Sequence, residues 1–162
     1  MPLERILANL VVEPRKVREN FPDEYNGFLQ VLVKTNPETA YRAFREAGDK
    51  EGLSEARRRL VETDPGTAYE AFTDAGDKEG LSEVGKRLVE TNPETAYRAF
   101  RDAEDKEGLS ELGRRLVETD PSTAYRAFRG AGDKEGLRAL AAYIARQTGA
   151  DTKRLERLFS DS

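Results

Sequence analysis

Asn36-Pro37-Glu38-Thr39-Ala40-Tyr41 returns as Asp64-Pro65-Gly66-Thr67-Ala68-Tyr69, as Asn92-Pro93-Glu94-Thr95-Ala96-Tyr97 and as Asp120-Pro121-Ser122-Thr123-Ala124-Tyr125, each 28 residues after the last, with nothing inserted or lost. Self-similarity at a fixed period of this size marks a stacked array, in which a unit too small to bury its own apolar face buries it against its neighbours. Four copies fit, over 36–63, 64–91, 92–119 and 120–147, flanked by 1–35 and 148–162.

Within the copy 36–63, Asn36 before Pro37 opens a helix: the Asn side chain accepts from free backbone N–H groups, and Pro suits the first helical position. Ala40, Ala43, Phe44 and Ala47 follow at i, i+3, i+4 and i+7, one apolar stripe. Gly48 stops that helix, and Asp49 caps a second whose stripe is Leu53, Ala56, Leu60 and Val61. Each copy therefore reads as an αα-hairpin with two very short turns. Helices of about a dozen residues are marginal alone in water, so stacking has to stabilise them.

Variation among the copies follows the same logic. Ala56 becomes Val84, Leu112 and Leu140, always apolar. The stop residue is Gly48, Gly76 and Gly132 but Glu104 in the third copy, where the left-handed cap is either strained or replaced by another turn. Gly85 and Gly113 recur in mid-helix, at a cost of about 1 kcal/mol each relative to Ala, and are expected at a close helix–helix contact. Arg57 holds that position in the first copy, which points to the divergent amino-terminal flank as its neighbour.

The flanks read as helical caps on an array that must hide its open ends. Leu3, Ile6, Leu7 and Leu10 form a helical stripe, and Pro14 and Pro22 each open a further helix. Residues 23–35 align with a second helix whose apolar end is Val31, Leu32 and Val33. A last helix starts at the Asp151 cap and carries Leu155, Leu158 and Phe159. The predicted fold class is all-α: a single domain over 1–162, an α-solenoid of four αα-hairpin repeats with helical caps at 1–35 and 148–162.

The Asp-Pro or Asn-Pro opening, the Ala-rich first helix and Gly48-Asp49-Lys50-Glu51 ahead of a Leu-bearing second helix resemble the short HEAT-like repeats of phycobilin lyases and prokaryotic scaffold proteins. The likeness covers about residues 23–147 and implies an architecture of stacked hairpins that commonly serves binding. Tetratricopeptide repeats match less well, since their longer unit and their Trp, Gly and Pro signposts are missing.

Composition removes several classes of function. The chain has no histidine and no cysteine, so the commonest general base, the usual zinc ligands, thiolate chemistry and disulfides are all missing. The expectation is a protein that is not an enzyme and uses no cofactor or metal. Acidic pairs such as Glu104-Asp105 lack the alternating ligand spacing of a calcium loop. A net charge of −4 gives no general attraction to nucleic acid or anionic membrane. No apolar run approaches the roughly 20 residues that span a bilayer, and Met1-Pro2-Leu3-Glu4-Arg5 does not open a secretion signal, so the expected location is cytoplasmic.

The candidate binding residues are Tyr41, Tyr69, Tyr97 and Tyr125, one per copy at the rim of the first helix, with Arg45, Arg101 and Arg129 one turn later and Thr73 replacing the arginine after Tyr69. Tyr and Arg are enriched at interface hot spots, so a Tyr–Arg ladder could hold a protein or peptide partner. Alternatively the rings pack between neighbouring copies with their hydroxyls in water. Glu38, Arg42 and Glu46, and Glu55, Arg58, Arg59 and Glu62, read as solvated salt-bridged faces, and the basic run Arg57-Arg58-Arg59 thins to Gly85-Lys86-Arg87 and Gly113-Arg114-Arg115. Three further readings remain. One is a nucleic-acid-binding HEAT-like module, which needs a continuous basic groove that Glu70 and Thr73 interrupt. Another is a chromophore lyase, implied by the resemblance alone. The last is a recently amplified or consensus-designed repeat without an evolved partner, since copies one and three differ only at positions 46, 48, 56 and 57.

Overall fold

The first helix of each copy starts at its proline and the second at its Lys: Pro37, Pro65, Pro93 and Pro121 on one side, Lys50, Lys78, Lys106 and Lys134 on the other. A computed structural model describes Asn9 and residues 12–160. The stripe Leu3, Ile6, Leu7 and Leu10 lies outside the described residues. The fold is all-α, and among the described residues there is no strand. Its helices are α1 (Pro14–Asn20), α2 (Pro22–Thr35), α3 (Pro37–Ala47), α4 (Lys50–Thr63), α5 (Pro65–Ala75), α6 (Lys78–Leu88), α7 (Pro93–Asp102), α8 (Lys106–Leu116), α9 (Pro121–Ala131), α10 (Lys134–Thr148) and α11 (Thr152–Ser160).

Capping is what sets this periodicity. The side chains of Asn36, Asp64, Asn92 and Asp120 accept from the backbone N–H of Thr39, Thr67, Thr95 and Thr123 at 3.0–3.1 Å. Asp49, Asp77, Asp105 and Asp133 accept from the N–H of Gly52, Gly80, Gly108 and Gly136 at 2.8–3.1 Å. At the C-termini of α3, α7 and α9 the chain closes by bonds from Asp49, Asp105 and Asp133 N–H back to Phe44, Phe100 and Phe128 carbonyls. These are six-to-one bonds, which need a left-handed residue just before the aspartate. Gly48 and Gly132 take that conformation freely at φ 67° and 72°, and Glu104 keeps it at φ 58° with a side chain attached. Of the two outcomes open for Glu104, the strained cap is the one found, and Lys78 lies 2.7 Å from its carboxylate.

The chain divides into two compact units, Met1–Ala75 and Gly76–Ser162, the boundary falling between the helices of the second copy. In the first unit α3 packs against α1, α2, α4 and α5, and α2 packs against α4. Its core joins Tyr25, Leu29 and Val33 of α2 to Ala40, Ala43 and Phe44 of α3 and to Ala56, Leu60 and Val61 of α4. Tyr25 meets Phe44 edge-on, ring centroids 6.2 Å apart. Val31 departs from expectation: it is 55% exposed, because the buried face of α2 runs through Tyr25, Leu29 and Val33 at steps of four.

In the second unit the helices form two rows, the second helices α6, α8 and α10 packing on one another and the first helices α7 and α9 doing likewise. Ala96, Phe100, Leu109, Leu112, Leu116, Phe128 and Leu140 form the core. Ala56, Val84, Leu112 and Leu140, the position read as variable but always apolar, are fully buried in their units. On α11 Phe159 packs on Tyr125, whereas Leu158 is 57% exposed.

Glycines make the two rows possible. A Cβ on Gly85 would come within 2.6 Å of the Phe100 ring, and one on Gly113 within 2.6 Å of the Phe128 ring. The expected close contact is therefore present, but it runs forward: each glycine receives the Phe of the following copy, not a neighbour on its amino-terminal side. The same rings also press on their own second helix, where a Cβ would come within 2.4 Å of Phe100 at Gly108 and 2.2 Å of Phe128 at Gly136. Each Phe is wedged between two backbones that only glycine lets so near.

Candidate functional site

The Tyr–Arg residues of the first helices do not form an even exposed ladder. Tyr41 is only 1% exposed, its ring edge-on against Phe72 at 4.9 Å, so it is core and not rim. Arg45 borders a cleft of about 520 Å3 in the first unit together with Arg15, Arg42 and Asp74. Tyr69, Tyr97 and Tyr125 are half-buried, while Arg101 and Arg129 are exposed. Tyr97 has Arg101 at 6.0 Å from its ring centroid, the pairing expected from the sequence, but Arg126 of the next first helix lies closer, at 4.8 Å. Arg126 in turn reaches Glu94 on α7 at 2.5 Å and the Thr123 hydroxyl at 2.9 Å. That contact holds the Glu94 carboxyl below the usual carboxylate range. Within their own unit Tyr97 thus stands against Arg101 and Arg126, and Tyr125 against Phe159.

A different surface recurs, along the second helices. Between α6 and α8 lies a cleft of about 730 Å3 floored by Phe100, Asp105 and Gly108. One copy further on, between α8 and α10, a cleft of about 510 Å3 has Phe128, Asp133 and Gly136 at the same places. In the first unit, between α2 and α4, a cleft of about 730 Å3 is floored by Phe44, Asp49 and Gly52. The Phe of each cleft lies under the glycine backbone and is itself buried, so the surface open to a partner is that backbone with the charged and polar side chains around it. The floor aspartate caps its own helix and also accepts from the second helix before it: Ser82 donates to Asp105 and Ser110 to Asp133. The Gly136 N–H, ahead of the Ser110 hydroxyl and Arg114, pulls the Asp133 carboxyl below its ordinary range despite partial burial.

The rims carry both signs of charge. Arg115 reaches Glu111 at 3.0 Å and Glu90 at 3.4 Å, and Arg114 reaches Glu111 at 3.3 Å and Asp133 at 3.7 Å. In the first unit Arg58 reaches Glu55 at 2.7 Å and Glu62 at 3.4 Å, the salt-bridged face expected there. Lys86 and Arg87 differ: both are exposed on the α6–α8 cleft, and among the described residues neither forms an ion pair.

This surface goes unread in the sequence, where no role is given to the Gly of Asp-Lys-Glu-Gly. Its recurrence at 52, 80, 108 and 136, always eight residues after the Phe, was the available signal. Among the described residues no cluster of acidic side chains could hold a metal ion, and no helix is long and apolar enough to cross a membrane. Compared with known proteins, the chain matches no family model, no curated protein and no solved structure.

Proposed function

We propose that the chain is an α-solenoid of four 28-residue αα-hairpins with helical caps, and that it acts without catalysis, as a scaffold holding a segment of another protein in the clefts along its second helices. The observation that carries the reading is one cleft built repeatedly in one register, with Phe, Asp and Gly on the floor and charged side chains at the rim. Chemistry needs one constellation of groups held at one place. A surface repeated at the spacing of packed helices suits an extended chain that meets the same contact again and again.

Mixed charge favours a protein segment over nucleic acid. The phosphate backbone rewards uncompensated cations, whereas Arg58, Arg114 and Arg115 are each held by carboxylates. The HEAT-like resemblance supports the stacked-hairpin architecture and no particular activity, so a lyase reading rests on analogy alone. The near identity of copies one and three leaves amplified or designed origin as the competing account.

Panning a displayed random-peptide library on the immobilised full chain tests the proposal. The expected result is enriched peptides whose affinity drops at least tenfold with Arg114→Glu and Arg115→Glu together and is unchanged by Tyr97→Phe. Failure to enrich any sequence, or binders indifferent to the arginine reversals, would count against the second-helix clefts as the working surface.

A further inference from the structure

Resting on that reading, we infer that the α6–α8 face of the second unit takes an acidic segment in polyproline II conformation, with its carboxylates three residues apart. Along this face the row of second helices presents Lys86 and Arg87 on α6 and then, one helix on, Arg114 and Arg115 on α8. Glu107 and Glu111 lie toward the N-terminus of α8, and Glu90 and Glu118 lie past the C-termini of α6 and α8. A chain crossing the helices therefore follows a basic central line with acidic margins, which specifies both the sign of its charge and its path.

The charges on that line are not all spent within the protein. Arg114 and Arg115 are engaged by Glu111, Glu90 and Asp133, but Lys86 and Arg87 form no ion pair among the described residues. Val89, half-buried at the edge of the cleft, gives it an apolar part where a proline ring or a carbon stem can rest.

Spacing selects the conformation. Packed helices stand about 8–10 Å apart. A polyproline II chain has three residues per turn and rises about 3.1 Å per residue, so residues i and i+3 leave the same face about 9 Å apart. A β-strand returns to the same face every second residue, at roughly 6.6 Å, and an α-helix after about 6 Å, so neither keeps step with the helices. Polyproline II is also largely ordered before binding, which lowers the entropic cost of docking.

The test is fluorescence anisotropy with labelled synthetic peptides on the full chain. The probes are (Glu-Pro-Pro)5, a peptide of the same composition with glutamates at every second residue, (Lys-Pro-Pro)5, (Leu-Pro-Pro)5 and a single-stranded oligonucleotide. Saturable binding of (Glu-Pro-Pro)5 is expected, at least tenfold tighter than the re-spaced peptide. Lys86→Glu with Arg87→Glu should weaken it at least tenfold, with an unchanged circular dichroism spectrum, and Lys86→Gln with Arg87→Gln should weaken it less. Equal binding of the two acidic peptides, indifference to the α6 substitutions, or tighter binding of the oligonucleotide would overturn the inference. If the Lys or Leu peptide binds at these clefts and the Glu peptide does not, the inference falls while the scaffold reading stands. If neither this panel nor the displayed library yields a binder, both fall.

Discussion

Gly113→Ala adds one methyl group and sets two effects of known size against each other. In an open helix position the change stabilises by about 1 kcal/mol, because alanine loses less backbone freedom on folding. At Gly113 the new Cβ would lie 2.6, 2.7 and 2.9 Å from three carbons of the Phe128 ring, nearly 1 Å inside ordinary contact. That ring is fully buried, and its same edge is already wedged against Gly136, which limits its retreat. Overpacking of this kind typically costs 1–3 kcal/mol. Gly27, exposed in α2 with nothing within 4 Å of its would-be Cβ, supplies the control. Gly27→Ala should raise the urea midpoint by the equivalent of about 1 kcal/mol, and Gly113→Ala should lie about 1–3 kcal/mol below it. Adding Phe128→Leu should cost less in the Gly113→Ala background than in the parent, with a coupling of about 1 kcal/mol. Equal midpoint shifts for the two alanine variants, with no coupling to Phe128, would refute the wedge argument.

Glu104→Gly should relieve the left-handed cap and raise the melting temperature by about 2–4 °C in a calorimetric scan, the lost Lys78 contact at an exposed site counting for little. Asp120 and Asp133 are held below the usual carboxylate range, chiefly by the Thr123 hydroxyl and by the Gly136 N–H respectively. Their folded values lie below their unfolded ones, so this stabilisation is fully present above about pH 4 and is lost as the pH falls through the folded values. Asp120→Asn with Asp133→Asn, which still caps but does not titrate, should flatten the loss of denaturation midpoint between about pH 5 and 2. Tyr97→Ala should lower the melting temperature by removing the platform for Arg101 and Arg126, while the affinity of any library-derived peptide stays unchanged.

Helix starts, caps and buried stripes were legible because each depends on residues close together in one copy. Asn36 and Thr39, or Asp105 and Gly108, settle a helix end locally, and Ala40, Ala43 and Phe44 define a face whatever lies opposite. What the face meets was not legible. Tyr41 and Tyr97 stand in nearly identical copies, yet Tyr41 lies under Phe72 and Tyr97 beneath Arg126. The position equivalent to Arg126 is Glu70 in the second copy, so the difference comes from the copy that follows. The candidate clefts escaped notice for a similar reason. Their floor needs a Phe from a first helix, a glycine from its own second helix and a rim from the preceding one, and hydropathy periodicity registers none of these pairings.

The wedge of Phe100 between Gly85 and Gly108 gives the sequence a syntax. In the third and fourth copies the space for the ring is half supplied by the copy before, so the natural unit of exchange there straddles two copies. Excising 92–119 would set Gly85 ahead of Phe128 and keep the pairing, whereas excising 64–91 would set Arg57 ahead of Phe100. Shuffling by recombination is therefore directional: the second or third copy can precede another copy with a Gly at the junction, and the first cannot. A chain that grows by duplication under this constraint extends most readily from its middle, and its first copy stays where it is.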